Sequence, residues 1–302
     1  MRRRRAFLVA LALGAGAMTA PPTTAQERHA LEGPRRVWLP RGAFLRGSTQ
    51  TEVEAAVEDC RRRTSERLRE ICSPRIFGLE APRRRIVVSA HGIDRTEVTW
   101  DSWRRCMRAG ACPPPRIPAP AGPSPAAHPV TGVTSHEAAA FCRFAGGRLP
   151  TEAEWERAAR GPDGRAYPWG RYFNDRLANH GGLEGRAALD GFRGSAPVGS
   201  FPGGASPHGL LDMAGNAWEW VADRFDPTSY ARGPAVDPRG PATGGDRLIR
   251  GGSYRVDGDR LRTAHRLPFP ASAHEPDIGF RCAYEARPAS LLLAPGSSPL
   301  GR

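Results

Sequence analysis

Short runs of alternating polar and apolar residues dominate this chain, and they predict strands and helices of only a few turns. Residues 37–48 and 84–89 alternate as a strand and its turn do, and residues 247–252 have the pattern of another strand. The charged stretch 52–70 has a helical composition. A further helix is indicated after Thr99, a residue type suited to cap a first helical turn.

Two capping boxes mark the starts of two more short helices. Thr134 precedes Glu137 by three residues, and Thr151 precedes Glu154 by the same spacing. At that spacing the threonine side chain accepts a hydrogen bond from the glutamate amide, and the glutamate side chain accepts one from the threonine amide. In the second helix three residues share one face, which indicates core packing rather than a site: Trp155, Ala158 and Ala159.

The remaining sequence favours loops. Of 302 residues, 35 are glycine, 30 are proline and only 39% are hydrophobic. Residues 113–129 are too rich in proline for a helix or a central strand and are expected to form a surface loop. No internal repeat or linker occurs between residues 37 and 285. One loop-rich domain is therefore predicted over residues 37–285.

The first 25 residues have the features of an export signal. Four arginines precede an apolar run that ends near Ala17 and is too short for an ordinary transmembrane helix. Thr23 and Ala25 place small residues before a cleavage point. The arginines also resemble a twin-arginine signal, which leaves the export route open. We expect residues 1–25 to be a signal peptide, the mature protein to be periplasmic or secreted without a transmembrane segment, and residues 286–302 to be a disordered tail.

Positive charge is abundant but evenly spread. The formal net charge is +13, and the sequence contains arginine but no lysine. A nucleic-acid surface concentrates its charge on one face or stripe, whereas these arginines run from one end of the chain to the other. We expect no nucleic-acid partner.

The six cysteines are expected to form three disulfides, because an exported protein folds in an oxidising compartment. On one continuous helix Cys60 and Cys72 would lie about 18 Å apart, so a bond between them requires a turn near residues 63–65. Cys106 and Cys112 can close a small loop. The remaining pair would tie two halves of the domain: Cys142 and Cys282. A zinc site is the alternative, but the close Cys/His pairs of structural zinc are absent.

Two glycine-containing segments carry oxygen ligands of the kind that calcium prefers. In LDMAGNAWEW, which begins at Leu211, the carboxylates of Asp212 and Glu219 stand on either side of Gly215 and Ala217. The backbone carbonyls of Gly215 and Ala217 can turn inward along a tight loop and add to the oxygen ligands. In ANHGGLEGRAALDGF, Asn179 and Asp190 stand eleven residues apart. Each pattern is weak alone, because aspartate and asparagine cap turns more often than they bind metals.

The residues alone reveal no catalytic motif. The chain has no H-E-x-x-H pair, no G-x-S-x-G elbow, no Walker loop and no G-x-G-x-x-G turn that opens a helix. His91, His180 and His265 are therefore interpreted as turn or core residues.

Four motifs follow one another along the chain. They are GRLPTEAEWERAARG (147–161), YPWG (167–170), GLLDMAGNAWEWVAD (209–223), and RLIRGGSY with the later GFRC (247–254 and 279–282). Together with the early block IDRTEVTWDSW (93–103), they resemble the formylglycine-generating enzyme family, also called the sulfatase-modifying factor family. The resemblance covers about residues 37–285.

This resemblance implies a single α+β domain on a C-type-lectin-like scaffold with little regular secondary structure. It also implies two calcium sites. The first corresponds to Asn179, the backbone of His180, Asp190 and the backbone of Phe192. The second corresponds to Asp212, Gly215, Ala217 and Glu219. The long-range disulfide of the family corresponds to Cys142–Cys282, and we expect calcium as a cofactor, with Trp218 and Trp220 packed beside the second site.

The catalytic centre of the family does not carry over. Members that make formylglycine bind copper(I) through two cysteines shortly after the GGS motif and use oxygen to oxidise a substrate cysteine. Soft thiolates suit copper(I), and carboxylates or hydroxyls are poor replacements. Residues 251–266 contain no cysteine, so copper is not expected. An iron-binding branch of the family is disfavoured too, because the chain lacks its H-x-x-x-H pair.

The sequence predicts an exported domain that binds a peptide, glycan or protein ligand without oxidising it. The alternative is an enzyme of the same fold with different chemistry, such as periplasmic maturation of a secondary metabolite, because related exported members tailor siderophore chromophores without the cysteine pair. Its cleft residues would be Ser253, Tyr254, Asp257, Asp259, Arg262 and His265. These could equally be exposed loop residues, with Arg262 or Asp257 paired at the surface. A component of a larger assembly and a residual formylglycine-generating oxidase are further alternatives.

Overall fold

The computed structural model describes residues 36–121, 124–181 and 190–286. The predicted signal peptide lies outside these residues, as does the predicted tail apart from Ala286. In the described part of the chain, no helix has the length and apolar character that crossing a bilayer requires.

The helices in the described residues are short. The α-helices are α1 (Gln50–Arg63), α2 (Pro74–Phe77), α3 (Trp100–Arg108), α4 (Ser135–Phe144), α5 (Glu152–Arg160) and α6 (Ser229–Arg232). Short 3-10 helices occupy Glu66–Ile71, Gly78–Glu80, Pro125–Ala127, Pro202–Gly204 and Gly258–Arg260. Both predicted capping boxes are confirmed, at the starts of α4 and α5, and the predicted cap of α3 by Thr99 is present.

The single helix predicted over residues 52–70 is wrong in its second half. The α1 helix ends at Arg63, Thr64 is extended with φ −100° and ψ 137°, and a 3-10 turn follows. This break reverses the chain, so that the Cα atoms of Cys60 and Cys72 lie 5.6 Å apart and the two cysteines form a disulfide. The turn required near residues 63–65 is confirmed.

Short strands form three sheets in the described residues. The strands are β1 (Arg36–Leu39), β2 (Gly42–Arg46), β3 (Arg84–Val88), β4 (His91–Asp94), β5 (Trp218–Arg224), β6 (Asp246–Arg250), β7 (Arg266–Pro270), β8 (Ile278–Gly279) and β9 (Ala283–Glu285). The strand orders are β1-β4-β9, β2-β3 and β7-β6-β5-β8, with β5 and β8 parallel and the other pairs antiparallel. The α+β class with long loops between short elements is confirmed.

Aromatic side chains from distant segments form the main core. Trp103 stacks on Phe141 with ring centroids 5.6 Å apart, and Phe280 meets both rings edge-on. Offset and edge-on ring pairs are the favoured arrangements of aromatic side chains. A second core cluster includes Trp155, Ala158 and Ala159, none of which is exposed, so the predicted buried face of α5 is confirmed.

The α5 helix is buried along its whole length, charged residues included. The Glu152 carboxylate accepts hydrogen bonds from Arg46 at 2.7 Å and Arg250 at 3.0 Å. Arg266 donates to the same carboxylate at 2.9 Å. Burial alone would raise the pKa of Glu152, but the three guanidiniums outweigh it and lower the pKa to about 2. These arginines come from β2, β6 and β7, so the ion pairs fasten three strands to one helix.

The three predicted disulfides are all present, and they use every cysteine of the chain. They join Cys60 to Cys72, Cys106 to Cys112 and Cys142 to Cys282. The last spans 140 residues. In the chain-entropy model a loop of that length stabilises the fold by about 5 kcal/mol, against about 2 kcal/mol for the six-residue separation of Cys106 and Cys112.

Candidate functional site

The segment of LDMAGNAWEW that precedes β5 is a tight loop pressed against the second glycine-containing segment. Asp212 and Asn216 both have left-handed backbone conformations, with φ of 56° and 60°. Gly215 has φ 81°, and a Cβ atom there would lie 2.2 Å from the Asn179 carbonyl oxygen. Only glycine fits that contact. The Asn216 amide donates to the Asn179 carbonyl at 2.9 Å, so the two predicted calcium segments are in direct contact.

The first predicted calcium set is brought together around Asp190. Its carboxylate accepts hydrogen bonds from the backbone amides of His180 at 2.7 Å and Phe192 at 2.9 Å. Asn179 is 1% exposed, and its side-chain oxygen Oδ1 has no hydrogen-bond partner among the described residues. Amide and carboxylate oxygens are the ligands that a hard cation prefers, and Asn179 adjoins His180, whose backbone amide contacts the Asp190 carboxylate. These residues therefore fit calcium, although residues 182–189 of this segment lie outside the described part.

The second predicted calcium set is organised around an arginine side chain. Arg281 donates to both carboxylate oxygens of Glu219, each at 2.7 Å, and neither side chain is exposed. The same guanidinium donates to the carbonyls of Leu211 at 2.9 Å and Asp212 at 3.3 Å. Calcium at the second set stays a prediction. An ion bound at this set would share the Glu219 carboxylate oxygens with Arg281.

The indole beside Glu219 is not one of the two expected. Trp155 Nε1 donates to Glu219 Oε2 at 2.7 Å. Trp218 and Trp220 flank Glu219 on β5, and side chains on a strand alternate between faces, so both indoles point to the opposite side. Trp220 instead donates to the Val133 carbonyl at 2.9 Å.

A buried acid that sequence reasoning missed, Glu97, joins this cluster. It is unexposed and accepts a hydrogen bond from the Asn216 side chain at 2.9 Å. Burial first, and then the nearby charge of Asp212, raise the pKa of Glu97 well above its usual value. Burial also raises the pKa of Asp212. Glu97 lies in the early block IDRTEVTWDSW, in the short connection between β4 and α3, where its membership of a family motif was the available signal.

The predicted cleft residues fall into separate groups. Ser253 is buried and donates to Asp277 at 2.6 Å, and Tyr254 is half-buried beside it. Asp257 is half-buried before the 3-10 turn that contains Asp259. Burial raises the pKa of Asp259 to about 6, although Arg260 and Arg262 act in the opposite direction.

Arg262 and His265 converge on a second acid that sequence reasoning missed, Glu80. Arg262 donates to both Glu80 oxygens at 2.6 Å, and His265 Nδ1 lies 2.9 Å from Oε1. Burial opposes ionisation of Glu80, but Arg262 and His265 lower its pKa to about 2. The alternative of a surface pair for Arg262 is wrong, because this ion pair is buried. His265 is a core residue, as interpreted from the sequence.

Arg262 also lines a cavity of about 950 Å³ between α1 and residues 160–173. Its lining is dominated by two kinds of side chain, so we call it the arginine-aromatic cavity. The arginines are Arg62, Arg63, Arg160, Arg165, Arg171 and Arg262, and the aromatic residues are Tyr167, Trp169, Tyr172 and Phe173. The other predicted cleft residues do not line this cavity.

No thiolate pair is available for a soft metal. Each cysteine sulfur is bonded to another sulfur. Within the described ranges, no group of three or more histidine, cysteine, aspartate or glutamate side chains is arranged to hold a metal ion. The first calcium set differs from such a cluster because it includes an amide oxygen and backbone atoms. The site therefore combines oxygen-bearing side chains, buried ion pairs and disulfides.

These features define a loop-rich α+β domain in which the GGS loop contacts Asp277 through Ser253 and is followed by a segment without cysteine. Residues 21–286 match the family profile described as "Sulfatase-modifying factor enzyme 1-like domain". The chain therefore belongs to the sulfatase-modifying factor family, which is also called the formylglycine-generating enzyme family.

Relatives in this family include active and inactive proteins. The chain is 46% identical over 174 residues to the formylglycine-generating enzyme of Streptomyces coelicolor, an alignment that covers 53% of each. It is 37% identical over 167 residues to the "Inactive C-alpha-formylglycine-generating enzyme 2" of Mus musculus, covering 52% of this chain and 49% of that protein. The chain thus spans about half the length of these curated relatives.

A solved structure supports the fold over a longer stretch. PvdO from Pseudomonas aeruginosa superposes with a TM-score of 0.64 at 23% identity, covering 84% of this chain and 95% of PvdO. At that level of identity the likeness concerns the fold alone.

Replacing His265 with glutamine should remove part of the acid sensitivity of the protein. Burial lowers the pKa of His265 to about 4 in the folded state, whereas an unfolded histidine has a pKa of about 6.5. Between pH 6.5 and pH 4 a proton binds to His265 in the unfolded state and not in the folded state. Neutral His265 therefore makes its full contribution to the free energy of unfolding above pH 6.5, and this contribution is lost as the pH falls toward 4. At pH 5 the loss is about 2 kcal/mol.

Urea denaturation at pH 7 and pH 5 measures this difference. The wild type should lose about 2 kcal/mol more of its free energy of unfolding than His265→Gln between the two pH values. The exposed His136 provides the control, because His136→Gln should retain the wild-type loss. An equal loss in wild type and His265→Gln would contradict the assignment.

Proposed function

We propose that this protein is an exported ligand-binding member of its family that does not convert cysteine to formylglycine. The observation that carries the proposal is that all six cysteines are paired in disulfides. Copper(I) chemistry in this family needs two thiolates, and a disulfide offers none. The same three bridges support export, because structural disulfides persist in oxidising compartments.

The arginine-aromatic cavity supports a binding role. Its volume of about 950 Å³ lies at the upper end of the range of small-molecule sites. The walls combine aromatic surface with charged groups, which gives both contact area and orientation to a bound ligand. A peptide, glycan or protein segment would enter it without needing a redox centre.

An oxidation assay tests the absence of formylglycine synthesis. Purified mature protein supplied with copper(I), oxygen and a cysteine peptide should show no aldehyde product above the level of a no-enzyme control. It should also retain less than one-tenth of an equivalent of copper after desalting. An authentic formylglycine-generating enzyme serves as positive control. Peptide turnover or stoichiometric copper would contradict the proposal.

We also propose calcium binding at the first set, formed around Asn179 and Asp190. Calcium would supply a positive charge that joins the segment at Asn179 to the segment at Asp190. The unpartnered Asn179 oxygen and the Asp190 carboxylate support this assignment. A ligand that binds only the folded state at one hundred times its Kd adds about 2.7 kcal/mol to the free energy of unfolding.

Chelation measures this contribution. The melting temperature of the wild type should fall on removal of calcium with EGTA and recover on adding calcium back, whereas Asp190→Asn should show little change. Asp226→Asn is the matched control. Asp226 is a half-buried carboxylate far from the Asn179 segment in sequence, and it also accepts the amide of the residue two positions on, so this variant should respond as the wild type does. A wild-type melting temperature that is indifferent to EGTA would refute calcium binding.

An enzyme with different chemistry is the second candidate. Asp259 favours it, because this acid is buried in the loop after the GGS motif and its pKa is raised to about 6. Its Oδ2 atom has no hydrogen-bond partner among the described residues. An acid with a pKa near neutrality can act as a general acid or base. Periplasmic maturation of a secondary metabolite would be such an activity.

Complementation of a deletion strain tests this candidate. If Asp259 transfers a proton in the reaction, Asp259→Asn should lower product formation at least a hundredfold. The exposed Asp246 at the start of β6 provides the control, because Asp246→Asn should complement fully. Full complementation by Asp259→Asn would eliminate this residue as a catalytic group.

A further inference from the structure

We propose that the arginine-aromatic cavity binds an acidic ligand that carries an aromatic ring. This inference rests on the ligand-binding function proposed above and names the chemical class of its ligand. Three observations support it: the kinds of side chain in the cavity wall, the excess of positive charge there, and the disulfide that fixes the end of α1.

The aromatic wall offers a flat surface for another ring. Tyr167 and Trp169 stack with centroids 5.3 Å apart and planes 10° from parallel. Phe173 lies 5.5 Å from Tyr167 and 6.4 Å from Trp169. Tyr172, next to them in sequence, is 76% exposed. Tyr167 is buried, so the half-buried Trp169 and the exposed Tyr172 are the rings that a further planar group can cover with a gain in free energy.

Positive charge exceeds negative charge at the same surface. Two of the lining arginines are already neutralised by buried acids, Arg160 by Glu156 at 2.8 Å and Arg262 by Glu80 at 2.6 Å. Glu52 is likewise paired with an arginine outside the lining. Within the lining this leaves four guanidiniums and two carboxylates, an excess of two positive charges: Arg62, Arg63, Arg165 and Arg171 against Asp59 and Asp163. Asp175, whose negative charge also acts on Arg63, lies outside the lining.

The ion pairs between the lining arginines and aspartates leave guanidinium N–H donors free to bind an anionic ligand. Asp59 is shared by Arg62 at 3.2 Å and Arg63 at 3.0 Å, and Asp163 is held by Arg165. Arg171 is exposed and donates no hydrogen bond within the described residues, although it lies over the Tyr172 ring. A guanidinium binds a carboxylate through two parallel hydrogen bonds, and these are about twice as strong as neutral ones.

The disulfide between Cys60 and Cys72 fixes the arginine-bearing end of α1. The last turn of α1 carries Arg61, Arg62 and Arg63, and the bridge begins at Cys60 within that turn. The Arg63 guanidinium lies 4.8 Å from the centre of the Phe173 ring, which joins the charged and aromatic walls. Groups that are held in place before binding lose less entropy on binding.

This arrangement discriminates between ligand classes. A basic peptide would meet the excess positive charge and be repelled, and a neutral glycan could stack on Trp169 but would leave Arg171 without an anionic partner. An acidic ligand without a ring would use the guanidiniums and leave the aromatic wall in water. Only a ligand with both features uses both walls.

Binding of defined probes to the full mature protein tests the proposal. The probe is the blocked peptide Asp-Tyr-Glu, measured by calorimetry at low salt. Asn-Tyr-Gln removes the charge and keeps the ring, and Asp-Ala-Glu removes the ring and keeps the charge. We expect each control peptide to bind about tenfold more weakly than the probe, and raised salt to weaken the probe most. A small aromatic acid, 4-hydroxyphenylpropionate, shows whether the peptide backbone contributes.

Two pairs of variants assign the binding to this cavity. Arg171→Gln should weaken the probe about tenfold, and Arg108→Gln, an exposed arginine of α3 outside the cavity, should not. Trp169→Leu should weaken it severalfold, and Trp38→Leu, at a different cavity, should not. Unchanged melting temperatures show that the variants fold.

Equal binding of the charged and neutral peptides, or an unchanged affinity in Arg171→Gln, would overturn the ligand class. No heat with any probe would overturn it as well. A different result would contradict the proposed absence of formylglycine synthesis. That result is copper-dependent turnover of a cysteine peptide in the oxidation assay. The two failures are therefore distinguishable.

Discussion

The segment Gly279–Cys282 holds the loops of this protein together through one ion pair and one disulfide. Arg281 is fully buried, and its guanidinium joins the Glu219 carboxylate on β5 to the backbone of two other loops, at Arg95 and Leu211. Cys282 adds a covalent link to α4. A buried charge is costly unless every donor is used, and here all three nitrogens of the guanidinium donate. A fold with so little regular structure depends on such links.

The cysteines and several buried acids of this chain make structural contacts. All six cysteine sulfurs form covalent cross-links, and the Glu80 and Glu219 carboxylates pair with buried arginines. The loop after the GGS motif contains no cysteine, and its Arg262 is paired with Glu80 beside the arginine-aromatic cavity. This cavity is the surface to which we assign ligand binding.

Local features of the fold could be predicted from the sequence, and long-range charge pairing could not. A capping box or a proline-rich loop is decided within a few residues, and the three disulfides followed from spacing and elimination. The break after Arg63 was required by the Cys60–Cys72 bond, yet the composition still favoured an uninterrupted helix. The Arg46–Glu152 pair spans 106 residues, so nothing local marks either charge as buried. The arginine-aromatic cavity was missed for the same reason, because α1 and the residues around Phe173 meet only after folding.

Disulfide mapping of the purified protein measures whether any pair of cysteine thiols is left free to bind a soft metal. Non-reducing digestion and mass spectrometry, with thiols blocked at harvest, should find three linked peptide pairs and no blocked cysteine. The links expected are Cys60–Cys72, Cys106–Cys112 and Cys142–Cys282. Recovery of two blocked cysteines in most molecules, with one of these links absent, would show that a thiol pair is kept free and would contradict the account.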